Sequence, residues 1–191
     1  MGYTTDFSGC FNTNKPVENW FMNSINRFND TRHMQRDVEE IKRSYPNWKD
    51  LCFKGNLGKD GEYFIGGEGN ILTNFDDHSI VNYNYPGNCP GLWCQWQMDD
   101  NETISWDECE KFYEYIDWLE YLIENFFKPE GYIVNGSVEW QGEDADDFGT
   151  IEVIDNVVKT KYGIRLLSMS DLETDEMITE LESRGYKVTK N

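Results

Sequence analysis

Residues 107–127 read DECEKFYEYIDWLEYLIENFF, and the spacing of their apolar side chains decides how the rest of the chain must fold. Phe112, Ile116, Leu119, Leu122, Ile123 and Phe126 recur every three or four positions, with Glu110, Glu114, Asp117 and Glu124 mainly between them. That is the pattern of an amphipathic helix with one face turned to a core. At 1.5 Å per residue it spans about 30 Å, enough to cross a small domain. Ser105 or Asp107 can cap it, its acidic first turn suits the positive end of the helix dipole, and Pro129 with Gly131 ends it. Its apolar face needs a covering layer.

The flanking sequence supplies strands for that layer. Residues 92–98 and 103–106 surround Asp99-Asp100-Asn101-Glu102 as a hairpin, and residues 132–141 and 149–154 bracket an acidic turn. Asp155-Asn156 then turns the chain into residues 157–161, while residues 3–11 alternate as an opening strand in which Ser8-Gly9 permits a bend. Short alternating strands in close succession predict hairpins. The expected fold is therefore α+β: a mostly antiparallel sheet packed against the long amphipathic helix, with a second, N-terminal helix. The N-terminal helix enters at Pro16, places Val17, Trp20, Phe21, Ile25 and Phe28 on one face and reaches Tyr45. Asn29-Asp30-Thr31 can break it, leaving Arg32 and Arg36 one turn apart on the second piece. Residues 47–88, rich in Gly, Asn and Asp, offer short strands at 62–65 and 80–83. If residues 92–98 form a strand, Trp93 and Trp96 point to opposite faces of the sheet. Residues 1–162 make one α+β domain, and residues 163–191, with Met177, Ile178 and Leu181 as an apolar stripe, form an appended helix and short strand.

A chain of 191 residues with 38% apolar and 15% aromatic side chains can fill one core. No apolar run approaches the roughly 20 residues that span a bilayer, and residues 1–11 lack the basic start and apolar centre of a signal peptide. Five scattered cysteines, an odd number, suit a reducing compartment, so the expected location is cytoplasmic. The net charge is −19 and unevenly placed: residues 1–60 carry nine basic and eight acidic side chains, residues 61–191 eight basic and twenty-eight acidic. That balance disfavours direct contact with nucleic acid or an anionic membrane and favours a partner with a basic surface.

No complete catalytic set emerges. Nucleophilic catalysis needs a base beside a nucleophile, and the chain has only His33 and His78 and no G-x-S-x-G elbow. Cys94, between Trp93 and Gln95, reads as a small buried hydrophobe. Gly66, Gly67 and Gly69 form a glycine-rich stretch without the lysine and hydroxyl of a phosphate loop, and a turn is the simpler reading. That loop with Trp93, Trp96 and Tyr85 can still line a pocket for a stacked base. Glu143, Asp144, Asp146 and Asp147 concentrate carboxylates within one turn, but they fit no calcium-loop register and read as a solvated hairpin tip. We expect no catalytic residue, no metal and no cofactor.

Four stretches carry a resemblance: GYTTDFSGCF (2–11), GEYFIGGEGN (61–70), PGLWCQW (90–96) and WDECEKFYEYIDWLEYLIENFFKPEGYIVNGSVEWQGEDADDFGTIEV (106–153). Together they resemble a family of uncharacterised proteins of bacteria and tailed phages, over residues 2–155. The resemblance implies an intracellular, phage-encoded protein and supplies no reaction, cofactor or catalytic residue. Two readings follow. In the first, the chain is an acidic binding protein that inhibits or sequesters a host defence or nucleic-acid-processing protein by occupying a basic surface. Its contacts are Glu110, Glu114, Asp117, Glu124, Glu143, Asp144, Asp146 and Asp147. On a continuous helix Glu110, Glu114 and Asp117 rise about 4.5 to 6 Å apart, close to the phosphate repeat of a nucleic-acid strand. In the second, the glycine loop and tryptophans hold a nucleotide-like small molecule, as a sequestering pocket or an enzyme site, with Arg27, Arg32, Arg36 and Lys42 meeting its phosphates.

Overall fold

A computed structural model describes residues 2–66, 77–163 and 178–179. In chain order the elements are β1 (Thr5–Thr13), α1 (Asn19–Asn29), β2 (Gln35–Arg36), α2 (Val38–Ser44), β3 (Ile80–Asn82), β4 (Trp96–Met98), β5 (Thr103–Trp106), α3 (Tyr115–Leu122), β6 (Val134–Gly142), β7 (Phe148–Ile154) and β8 (Val157–Tyr162). Six strands form one sheet in the order β4-β5-β1-β6-β7-β8, every neighbouring pair antiparallel, and β2 and β3 pair separately. The architecture is the α+β fold expected, with the first strand of the chain in the middle of the sheet.

Strand alternation assigns the two faces. Phe11, Val134, Val138, Trp140, Ile151 and Val153 are buried on one side, while Ser8, Asn12, Ser137 and Glu139 on the other are exposed. Along the β1–β6 pair, Gly9 (φ +106°) stands opposite Val138, and Gly136 (φ +140°) stands opposite Phe11. A Cβ on Gly136 would lie 2.6 Å from the Cys10 carbonyl oxygen, and one on Gly9 would lie 2.5 Å from that of Ser137. Both the backbone conformation and the close approach of the strands therefore require glycine.

The long helix is shorter than its periodicity suggests. It begins at Tyr115, not 107, because Glu108, Lys111 and Glu114 all adopt positive φ, which an α-helix cannot accommodate. Asp107 is no helix cap: its carboxylate accepts from the backbone N–H of Cys109 at 2.9 Å in a local turn. Phe112 is nonetheless buried, entering the core from a loop to meet Trp96 and Phe7 edge to face. Ile116 is only half-buried, whereas Leu119, Leu122, Ile123 and Phe126 are fully enclosed as expected. Trp118, Tyr121 and Phe127 are buried too, so the helix is covered on more than one side. Beyond Leu122 the chain widens into a π-turn (Ile123–Phe127) and tightens again at Lys128–Glu130. The wide turn brings two consecutive phenylalanines inside: Phe126 packs on Phe53 at 4.5 Å and Phe127 on Phe21 at 5.1 Å.

The N-terminal helix stops at Asn29 instead of reaching Tyr45. Thr31 Oγ1 donates to the Arg27 carbonyl at 2.7 Å, and a new helix starts only at Val38, capped by Asp37, which accepts from the N–H groups of Glu39 and Glu40. Arg32 therefore lies in a connection and Arg36 in β2. Arg36 is buried, ion-paired to Asp77, hydrogen-bonded to Ser79 Oγ at 2.9 Å and stacked over Phe64 at 4.2 Å. The strand expected at 62–65 is a turn followed by a single bridge between Phe64 and Cys52. Phe64 and Cys52 instead join Ile41 and Leu57 in a second, smaller core.

Asn26 of α1 closes the outer edge of the sheet. Its Oδ1 accepts from the Met98 N–H at 2.8 Å and its Nδ2 donates to the Met98 carbonyl at 3.0 Å, so one side chain supplies the pair of bonds a neighbouring strand would give β4. Of the appended C-terminal segment, Gly163, Ile178 and Thr179 are among the described residues; Gly163 donates its N–H to the Phe148 carbonyl at 2.7 Å, and Ile178 and Thr179 are helical. No helix among the described residues is long and apolar enough to cross a membrane.

Candidate functional site

The loop that replaces the first two turns of the expected helix builds the site. Its shape is fixed from several sides: Asn29 Nδ2 donates to Asp107 at 3.0 Å, Trp106 Nε1 to the Cys109 carbonyl at 3.2 Å, and Gln95 Nε2 to the Glu110 carbonyl at 3.2 Å. Tyr113 Oη accepts from the backbone N–H of Tyr3 at 3.1 Å. Opposite this loop runs the irregular segment before β4. The two flank a half-open cavity of about 960 Å³ whose wall includes Asp30, Tyr85, Trp93, Asp107, Glu110, Glu114, Tyr113 and Trp118.

Three features define its chemistry. Four carboxylates, those of Asp30, Asp107, Glu110 and Glu114, face one cation, Lys111, among the charged wall residues. Partial desolvation and the neighbouring Asp107 raise the Asp30 carboxyl above its usual range, and desolvation with Asp107 and Asp30 raises the Cys109 thiol. Tyr85, Trp93 and Tyr113 remain 45%, 39% and 52% exposed, an uncommon set of large aromatic surfaces around one opening. Finally, the indole N–H of Trp118 is buried without a hydrogen-bond partner.

The residues singled out from sequence separate into groups. Glu110 and Glu114 come together on the cavity wall, brought there by the loop and not by helical spacing, so the regular phosphate-like ladder is absent. Asp117 lies exposed within α3, and Glu124 further along is ion-paired to Lys128 at 2.7 Å. The turn holding Glu143, Asp144, Asp146 and Asp147 is partly structural. Glu143 accepts from the Thr4 N–H at 2.8 Å, and Asp147 accepts from Tyr3 Oη at 2.7 Å and from Trp140 Nε1 at 3.4 Å. Tyr3 thus ties this turn to Tyr113, and the two acidic regions share one end of the molecule.

Among the described residues the expected ligand set is not brought together. Trp96 is fully buried, with its Nε1 donating to the Tyr115 carbonyl at 2.8 Å, and only Trp93 faces outward. Regular strand begins only at Trp96, so Trp93 lies outside the sheet and the expected placement of the pair on opposite sheet faces does not arise. Gly66 packs on the Phe64 ring, away from the cavity wall, and Gly67 and Gly69 lie outside the described residues. Of the cations assigned to phosphates, Arg36 is already paired with Asp77.

Other titratable groups are structural. His33 is buried, bonded through Nε2 to the Phe28 carbonyl at 3.1 Å, and burial pulls its imidazole down to about 3. Burial pushes the Cys89 thiol up to about 12 and raises that of Cys94 further, so both stay protonated. Among the described residues no three His, Cys, Asp or Glu side chains converge as a metal set.

Sequence reasoning passed over Asp30, Tyr113 and Trp118 as site residues. Tyr113 carried a signal, since it follows Phe112 directly and cannot share its helical face. The described fold and site define an α+β domain with an acidic, aromatic-walled cavity. Comparison with known protein families, curated proteins and solved structures returns no match.

Proposed function

We propose that this chain is an acidic binding protein that occupies a basic surface on another protein. With the phage context that the resemblance implies, the partner is a host defence or nucleic-acid-processing protein, and occupying its basic surface excludes nucleic acid. One observation carries the reading: Glu110 and Glu114 are gathered with Asp30 and Asp107 around an opening edged by exposed aromatic rings. Dense carboxylates steer a basic partner, and exposed aromatics anchor it once docked. Charge density, and not a regular repeat, supports any competition with nucleic acid.

The alternative, a pocket for a nucleotide-like molecule, has the cavity volume in its favour, but four carboxylates against one lysine repel phosphates. The test is capture from bacterial lysate on immobilised protein, comparing wild type with the double substitution Glu110→Lys, Glu114→Lys at rising salt. The expected result is a captured protein that salt elutes and the variant loses. Capture that ignores both salt and the substitutions rejects the reading.

A further inference from the structure

The cavity has a more specific chemistry than negative charge. Trp118 is fully buried, lies on the cavity wall, and has no acceptor for its indole N–H. An unpaired buried donor is destabilising, so a group that supplies an oxygen there is favoured. Gly91, another wall residue, stands beside this N–H: a Cβ on it would lie 3.4 Å from Trp118 Nε1. Around the same space stand the four carboxylates, which accept from N–H donors, and the faces of Tyr85, Trp93 and Tyr113, which attract organic cations. A fitting ligand therefore joins an organic cation to a hydrogen-bond acceptor. A metal ion has no use for aromatic walls, and a phosphate is repelled.

We propose that the cavity receives a basic residue of a partner polypeptide, its guanidinium or ammonium group among Asp30, Asp107, Glu110 and Glu114 against the aromatic rings, and its backbone carbonyl accepting from Trp118 Nε1. Gly91, which has no side chain, lines the approach to that N–H. A volume of about 960 Å³ holds one long side chain together with its flanking backbone. The inference rests on the partner-binding reading and specifies what the partner inserts.

The test uses the whole chain with 15N-labelled tryptophan and the peptide acetyl-Gly-Arg-Gly-amide. Its controls are the same peptide with citrulline for arginine, which keeps shape and carbonyl but loses the charge, and butylguanidine, which keeps the single guanidinium charge but has no carbonyl. The arginine peptide is expected to shift the Trp118 and Trp93 indole signals, with the citrulline peptide and butylguanidine each at least fivefold weaker. Gly91→Ala, which adds an ordinary contact beside Nε1 and needs no unusual backbone, should weaken the arginine peptide by a similar factor and leave butylguanidine unaffected. Equal binding of the citrulline peptide removes the cation, and equal binding of butylguanidine turns the cavity into a small-molecule site; either result overturns the proposal. So does a peptide that shifts neither indole. If the peptides fail while Glu110→Lys, Glu114→Lys still abolishes capture from lysate, the cavity inference falls and the surface reading stands. If capture ignores the double substitution, the surface reading falls whatever the peptides show.

Discussion

Replacing Asn26 by alanine should unfasten the outer edge of the sheet. The side chain makes two bonds to the backbone of Met98, at 2.8 and 3.0 Å, in a part-buried setting. Each bond contributes about 1 kcal/mol net, and the Met98 N–H and carbonyl left behind lose partners that water replaces only in part, so the expected loss is about 2 to 3 kcal/mol. Asn26→Asp keeps an acceptor for the Met98 N–H but sets a carboxylate against the Met98 carbonyl, and should also destabilise. Urea unfolding monitored by tryptophan fluorescence gives the difference, provided the slope is unchanged between variants. Amide hydrogen exchange gives the location, with the Met98 N–H expected to lose protection before those of β6 or β7. A loss below about 0.5 kcal/mol, with Met98 exchange unaltered, would refute the idea that a helix side chain acts as the missing strand.

Leu119→Ala should cost about 2 to 5 kcal/mol by opening a cavity where Leu119 is now fully enclosed, read from the same urea curves. Gly136→Ala should destabilise by about 1 to 3 kcal/mol, because φ is +140° and the new methyl meets the Cys10 carbonyl; a neutral result in thermal unfolding would contradict the strand geometry. Stability should fall on acidification. His33 binds a proton near 6.5 when unfolded but only near 3 when folded, so between those values the unfolded state holds more protons and stability drops by up to about 1.4 kcal/mol per pH unit. Asp77 adds to the loss below its ordinary 3.8, since bonds from Ser79 and Arg36 outweigh its desolvation and hold it lower in the fold. Urea midpoints that stay flat from pH 7 to 4 would remove the His33 argument.

Much of the sheet was legible because its signals are local. Alternation marked β1 and β6 to β8 to within about three residues, and Asp155-Asn156, both at positive φ, announced their hairpin. The long helix was half legible. Phe112 reaches the core from a loop, so the burial pattern continues through residues whose backbone is not helical, and Glu108, Lys111 and Glu114 are not types that advertise positive φ. The candidate site followed the same divide. Glu110 and Glu114 were chosen for a helical ladder, and tertiary contacts placed them on a cavity wall instead. Arg36, read as a helical cation for a ligand's phosphates, gave no warning of the buried partners that Asp77 and Ser79 provide from 41 and 43 positions away.

The central place of β1 sets a schedule for synthesis. Its neighbours are β5, which meets it at Thr103 and Ile104, and β6, which pairs with it from Val134 to Gly142. Translation runs at about 5 to 20 residues per second, so the first strand leaves the ribosome roughly 6 to 25 s before its long partner exists. Until β4 and β5 have been made, Phe7 and Phe11 have no sheet to join. The sheet is completed only after Gly142 has been made, through contacts of high sequence separation, which slows its assembly and gives chaperones an early segment to hold.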